Sequence, residues 1–169
     1  PYACKRKYWA VPLRNHLKHE VAVRILIRKI QLVGAQYDKA LIPVYTHSTQ
    51  HYYRVYLKCE KGKTRVDEIL KQHQLCVYDK EKEELIVSSL KSQDSKPTSF
   101  IGPIWTGTLW DEELSKVVAK EVPENMTRTI AEESTIHTLG YYDIHELASK
   151  NKIQIPKFEN IITRLKEKG

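Results

Sequence analysis

The side chains that could do chemistry are few and scattered along this chain. His16 and His19 flank Glu20, His47 and His51 stand a short loop apart, and acids gather at Asp111-Glu112-Glu113 and Glu132-Glu133. Two histidines one helical turn apart can share a metal, and a histidine beside a carboxylate can carry a proton. Neither histidine pair has a third ligand close in sequence, so structural or surface histidines are the plainer reading. The acidic runs suit helix N-terminal turns or solvated faces. Cys4, Cys59 and Cys76 are odd in number and widely spaced, with no CxxC. That argues against a disulfide scaffold and against a zinc knuckle. Cys59 lies in an apolar strand pattern, as a small buried thiol does. No GxGxxG, P-loop, HExxH or GxSxG is present, so these residues are expected to hold neither a catalytic centre nor a complete nucleotide-cofactor site.

The chemistry that does stand out is charge. The 169 residues carry a formal net charge of +7. Lys5, Arg6, Lys7, Arg14, Lys18, Arg24, Arg28 and Lys29 face a single acid, Glu20, within the first thirty positions, and the rest of the chain is balanced. The entire excess is therefore local, which points to a polyanion such as nucleic acid. Tyr2, Tyr8 and Trp9 interleave with these bases. Such a segment can stack on bases and neutralise phosphates, or it can be an aromatic-anchored connector packed on a domain. The longest apolar candidate, Val21 to Val33, is broken by Arg24, Arg28 and Lys29, short of a membrane span. With no signal-peptide pattern either, a cytoplasmic protein is expected. A chain opening on Pro1 and closing on Gly169 reads as a segment of a longer polypeptide.

The elements that must position these residues follow from periodicity. Ala22, Leu26, Ile30, Val33 and Tyr37 recur at helical spacing, predicting a helix over 16–37 with that stripe packed on a sheet and its basic side outward. Residues 41–48 and 52–59 predict an antiparallel hairpin, with Tyr53, Val55, Leu57 and Cys59 on one face and Tyr52, Arg54, Tyr56 and Lys58 on the other. A boundary is expected at Glu60–Lys63. Beyond it come a short helix over 66–72 with Asp67 and Glu68 in its first turn, strands over 75–78 and 84–89, a loop over 91–99, and an interrupted strand over 100–109. Asp111 can N-cap a helix to Lys120. Helices are expected over 127–139, closed by Gly140, over 144–150, capped by Asp143, and from Pro156 to Lys168. Ile144, Leu147 and Ala148 would face Ile161, Ile162 and Leu165 in a helical hairpin or winged-helix-like unit. The latter could read DNA through Lys157, Asn160, Arg164 and Lys166.

At several places the residues resemble a known family. Cys4-Lys5-Arg6-Lys7-Tyr8-Trp9-Ala10-Val11-Pro12-Leu13-Arg14 is similar to the CxRKYGAxPLR stretch of the tRNA (guanine-N2)-dimethyltransferases. His19 to Leu26 resembles their HExGLRxLL helix, and His51-Tyr52-Tyr53-Arg54-Val55-Tyr56-Leu57-Lys58 their DHYxRVYxK. Gly102 to Asp111 resembles GPLWxGxLHD, and Tyr141-Tyr142-Asp143-Ile144-His145 with Pro156 resembles their YYDxH and PP segments. These blocks are in order and span nearly the whole chain. Departures are Trp9 for a usual Gly, Lys18 for Cys, Gln50 for Asp and Trp110 for His. The CxxC…CxxC insert of many relatives is missing, so no zinc site carries over.

The resemblance implies the C-terminal half of an S-adenosylmethionine-dependent enzyme that methylates the exocyclic amine of a guanine, at position 26 of tRNA. It implies an α/β fold, α+β within this segment. Residues 1–62 would be the end of a class I methyltransferase sheet, with its antiparallel hairpin. Residues 63–169 would be a small α+β C-terminal RNA-binding domain. The cofactor-binding loop and the DPFG-type catalytic motif would lie upstream, in an N-terminal half joined to this chain or supplied as a partner. This segment would hold tRNA: Lys5, Arg6, Lys7 and Arg14 on phosphates, Arg24 and Arg28 extending the surface, and His51 and Arg54 at the hairpin. Arg14 and Arg54 could equally tie the two domains through ion pairs. A non-enzymatic winged-helix nucleic-acid-binding protein and a separate subunit completing a split methyltransferase are the competing readings.

Overall fold

A computed structural model describes residues 2–49, 51–88 and 100–168. The loop expected over 91–99 lies outside them, as do Gln50 and Ser89.

The chain opens with a helix, α1 (Tyr2–Tyr8), where the sequence showed no period. Only Cys4 and Tyr8, one turn apart, rest against the core, which is too little to register as a repeat. Helix α2 (Lys18–Ala35) follows, then strands β1 (Lys39–Ser48) and β2 (Tyr53–Lys61), paired antiparallel with a register shift between Pro43 and Tyr45. Helix α3 (Lys63–Lys71) starts earlier than expected, so Asp67 and Glu68 fall beyond its first turn. A three-stranded antiparallel sheet is built from β3 (His73–Asp79) in the centre, β4 (Glu84–Val87) and β5 (Phe100–Trp105).

Four helices complete the chain: α4 (Glu112–Glu121), α5 (Asn125–Glu133), α6 (Ile144–Asn151) and α7 (Phe158–Lys168). The Asp111 carboxylate accepts from Leu114 N at 2.9 Å, and that of Asp143 accepts from His145 N and Glu146 N, as their cap positions predict. Helix α5 stops at Glu133 rather than Leu139. The segment after it gives its backbone polar groups to α2: Gly140 N donates to Glu20 Oε1 and Thr138 O accepts from Arg24. The expected packing of the last two helices is not found. Ile162 and Leu165 are exposed, and no α7 residue with a described side chain is buried, so α6 and α7 form no closed hairpin.

Two hydrophobic cores hold the fold, and α2 belongs to both. Val21 and Ile25, with Ala10 and Leu17, pack on Cys76, Leu85, Ile101 and Ile104 of the three-stranded sheet. Val23 and Ile27, half a helical turn away, pack with Ala40, Val66, Ile69, Trp105 and Leu109. Each core draws side chains from both sides of residue 62, so among the described residues the sequence boundary there is not a division between cores. The stripe read from periodicity is not the one buried. Ala22, Leu26 and Ile30 are half-covered, and Val33 and Tyr37 are exposed. None of the five is fully buried, so this apolar stripe stays partly open.

The entry segment is pinned to the second sheet. Val11 N donates to Gly102 O at 2.7 Å, and Gly102 N donates back to Val11 O at 2.8 Å. Gly102 has φ +93°, and a Cβ there would lie 2.7 Å from Ile104 N. Only glycine meets both demands.

Candidate nucleic-acid interface

Lys5, Arg6 and Lys7 occupy the last turn of α1, and all three are exposed. Cations at a helix C-terminus are favoured by the helix dipole, so local stability alone would tolerate them. Their surroundings extend the charge. Lys29 of α2 sits with its Nζ 3.4 Å from the centre of the Trp9 ring, and Arg28 donates to Tyr8 O. Trp9 adopts φ +52°, the left-handed region where glycine is ordinarily found. Its ring is more than half exposed beside Lys29. Arg28 is partly withdrawn from water, which lowers its pKa below the usual guanidinium value. Arg14 is exposed in the link to α2, and no ion pair to it or to Arg54 occurs among the described residues.

Arg24 does not belong to this surface. It is 3% exposed. Its Nε donates to Glu20 Oε1 at 2.9 Å, and its terminal nitrogens donate to Trp105 O, Gly107 O and Thr138 O at 3.1, 2.9 and 3.2 Å. An arginine so enclosed commits four of its five N–H donors within the fold and is not presented to a phosphate on the surface. Its i,i+4 acid, Glu20, is the one signal in the sequence that could have suggested an internal role.

His51 and Arg54 form a second group at the β1–β2 hairpin. Both are exposed, and the Arg54 guanidinium stacks 5.0 Å from the Tyr52 ring centre. Tyr53 Oη lies 2.6 Å from His19 Nδ1, tying the hairpin to the start of α2. Nearby His47 has a lowered pKa, first because it is desolvated and second because of the Arg54 charge. No hydrogen bond or ion pair among the described residues joins this group to α1. Lys29 is the basic residue left out of the tRNA-holding set that the resemblance implies, and its pairing with Trp9 could not be read from spacing.

A cavity of about 700 Å³ opens between the start of α2, the end of β1 and the segment after α5, with Thr46, Glu83, Trp110, Glu133 and Tyr142 in its wall. No group of three or more His, Cys, Asp or Glu arranged to hold a metal occurs among the described residues. No described helix is long and apolar enough to cross a membrane.

The family model for N2,N2-dimethylguanosine tRNA methyltransferases matches residues 1–169. The chain belongs to this family. Among the curated dimethyltransferases, the tRNA (guanine(26)-N(2)/guanine(27)-N(2))-dimethyltransferase of Aquifex aeolicus is 35% identical over 170 residues, 90% of this chain and 43% of that protein. The tRNA (guanine(26)-N(2))-dimethyltransferase of Methanocaldococcus jannaschii is 34% identical over 99% of this chain and 46% of its own length. The solved structure of Trm1 from Pyrococcus horikoshii with S-adenosyl-L-methionine superposes with a TM-score of 0.78 at 31% identity, covering 100% of this chain and 47% of that one. The chain thus spans less than half the length of these dimethyltransferases.

S-adenosylmethionine, which the family uses, does not fit the described residues. A class I cofactor site needs a glycine-rich turn from a strand into a helix, with free backbone N–H groups. Gly62 stands alone between β2 and α3, and its N–H is already donated to Asp38 O at 3.0 Å.

Proposed function

We propose that this chain is the RNA-gripping portion of a tRNA guanine-N2 dimethyltransferase whose cofactor and methyl-transfer centre lie in the half it does not span. One observation carries this reading. The apolar stripe Ala22, Leu26, Ile30, Val33 and Tyr37, along α2 and just past its end, is covered only in part, and β2 lies at the open edge of a two-stranded ribbon with Tyr52, Tyr53 and Tyr56 exposed. A two-stranded ribbon is marginal by itself, and a long exposed edge invites another strand. The seam fits the remaining sheet of a class I methyltransferase. On this reading residues 1–62 supply that sheet's last helix and hairpin, and residues 63–169 extend the grip on tRNA, in the cytoplasm.

The phosphate contacts are assigned to Lys5, Arg6, Lys7 and Arg14, joined by Lys29, with Arg28 at their margin and His51 and Arg54 at the hairpin. Arg24 instead fixes the fold beneath them. Enzymes that do chemistry on a base take it out of the stack, so an RNA-modifying enzyme has to hold the backbone while a base is drawn out.

Two measurements test the proposal. Titrating this chain with tRNA should show affinity falling steeply with salt. Each of Arg6→Ala and Arg14→Ala should reduce the slope of log K against log salt by roughly one. Unchanged affinity and slope in the double variant would refute the assignment. Calorimetric titration with S-adenosylmethionine should give no binding to this chain, and a saturable signal would place the cofactor site here instead.

A further inference from the structure

We propose that the cavity beside Thr46 and Trp110 receives an unstacked nucleobase that carries an exocyclic amine. The inference rests on the reading above that the chain holds RNA, and it gives that RNA a base-specific contact.

The wall is rich in acceptors that the fold leaves unused. Thr46 is 4% exposed and Glu83 2%. Thr46 Oγ1 and Glu83 Oε2 are buried and find no hydrogen-bond partner among the described residues. The other Glu83 oxygen pairs with Lys150. Native proteins rarely leave buried polar atoms unsatisfied, and these two belong to residues of one cavity wall. Glu133, at the rim, adds another carboxylate. Its pKa is raised, mainly by desolvation and then by Glu20 and Glu132, so a donor reaching it would relieve an existing cost.

The cavity also offers flat surfaces. Trp110 is fixed by its Nε1 donating to Thr46 O at 2.6 Å, and Tyr142 by its hydroxyl donating to Glu84. Aromatic planes beside carboxylates suit a base, which stacks through its face and donates through its amine. The volume lies within the range of about 300–1,000 Å³ usual for small-molecule sites. A phosphate is disfavoured by charge: among the described residues of the wall Arg24 is the only Lys or Arg, it stands beside Glu20, Glu83, Glu84 and Glu133, and four of its five N–H donors are held by Glu20 and three carbonyls.

Cytidine and uridine, which differ by an amino group in place of an oxygen, give the direct test. Each is titrated into the intact chain while the Trp110 indole signal is followed by NMR, with Trp110→Phe assigning that signal. Cytidine and guanosine should shift it saturably, with uridine at least about tenfold weaker, the worth of one charge-assisted hydrogen bond. Glu133→Gln and Thr46→Val should each weaken cytidine binding several-fold. Thr46→Val removes only an unpartnered hydroxyl, so its unfolding midpoint should not fall. No shift, equal shifts from uridine, or displacement of cytidine by spermidine would overturn the proposal. If the nucleosides fail while tRNA still binds with its salt slope, the base pocket falls and the RNA-gripping reading stands. If tRNA binding fails as well, both fall.

Discussion

Arg24→Ala is expected to cost the fold about 3–5 kcal/mol, the range for removing one partner of a buried ion pair. Its guanidinium joins three segments distant in sequence: α2 through Glu20, the end of β5 through Trp105 and Gly107, and the stretch after α5 through Thr138. Truncation leaves three carbonyls short of a donor and a Glu20 carboxylate, 15% exposed, without its cation. Glu20 would keep only the Gly140 N–H. Urea unfolding should show the loss as a fall in midpoint at unchanged slope. Arg24→Lys tests the geometry, because an ammonium keeps the charge but cannot span acceptors set around a planar fork. It should recover only a minor part of the loss. A near-neutral Arg24→Ala would mean that Arg24 is a surface residue after all, returned to the phosphate-binding set.

That residue also marks where sequence reasoning reaches its limit. Charge clustering reads Arg24 as surface because it counts residues, and the carbonyls that enclose it come from positions 105, 107 and 138. The β1–β2 hairpin was legible because alternation and a short link are local facts, and α2 was legible because one apolar stripe recurs at helical spacing along most of its length. The buried face of α2 was not. Its apolar residues lie on more than one side, and the cleanest stripe is the one this chain leaves uncovered. Asp111 and Asp143 could be placed as caps from their own neighbourhoods. The end of α5 could not, because α2 competes for the backbone beyond it. The cavity was invisible for the same reason: Thr46, Glu83, Trp110 and Glu133 meet only through long-range packing.

Acid should destabilise the chain through His73, whose pKa is lowered to about 4, mainly by desolvation and then by the nearby charge of Arg28. Its Nε2 lies 2.8 Å from Gln31 Oε1, and Gln31 donates its own amide to Leu41 O, so the neutral ring serves as donor in a chain from β3 through α2 to β1. The ring also meets Trp105 edge-on. A folded pKa below the unfolded value of about 6.5 means that the unfolded chain binds the proton more readily. The contribution is therefore intact above about pH 6.5, declines as pH falls, and is exhausted below about pH 4. Discounted for the ring's partial exposure, the loss by pH 4.5 should be on the order of 2 kcal/mol. Stability measured in urea at pH 7.5 and 4.5 should differ by about that much more in the parent chain than in His73→Gln, whose amide can still donate to Gln31 without titrating. Equal acid sensitivity in the two would show that the ring protonates freely in the folded state, and that the link between β3 and α2 is open to water.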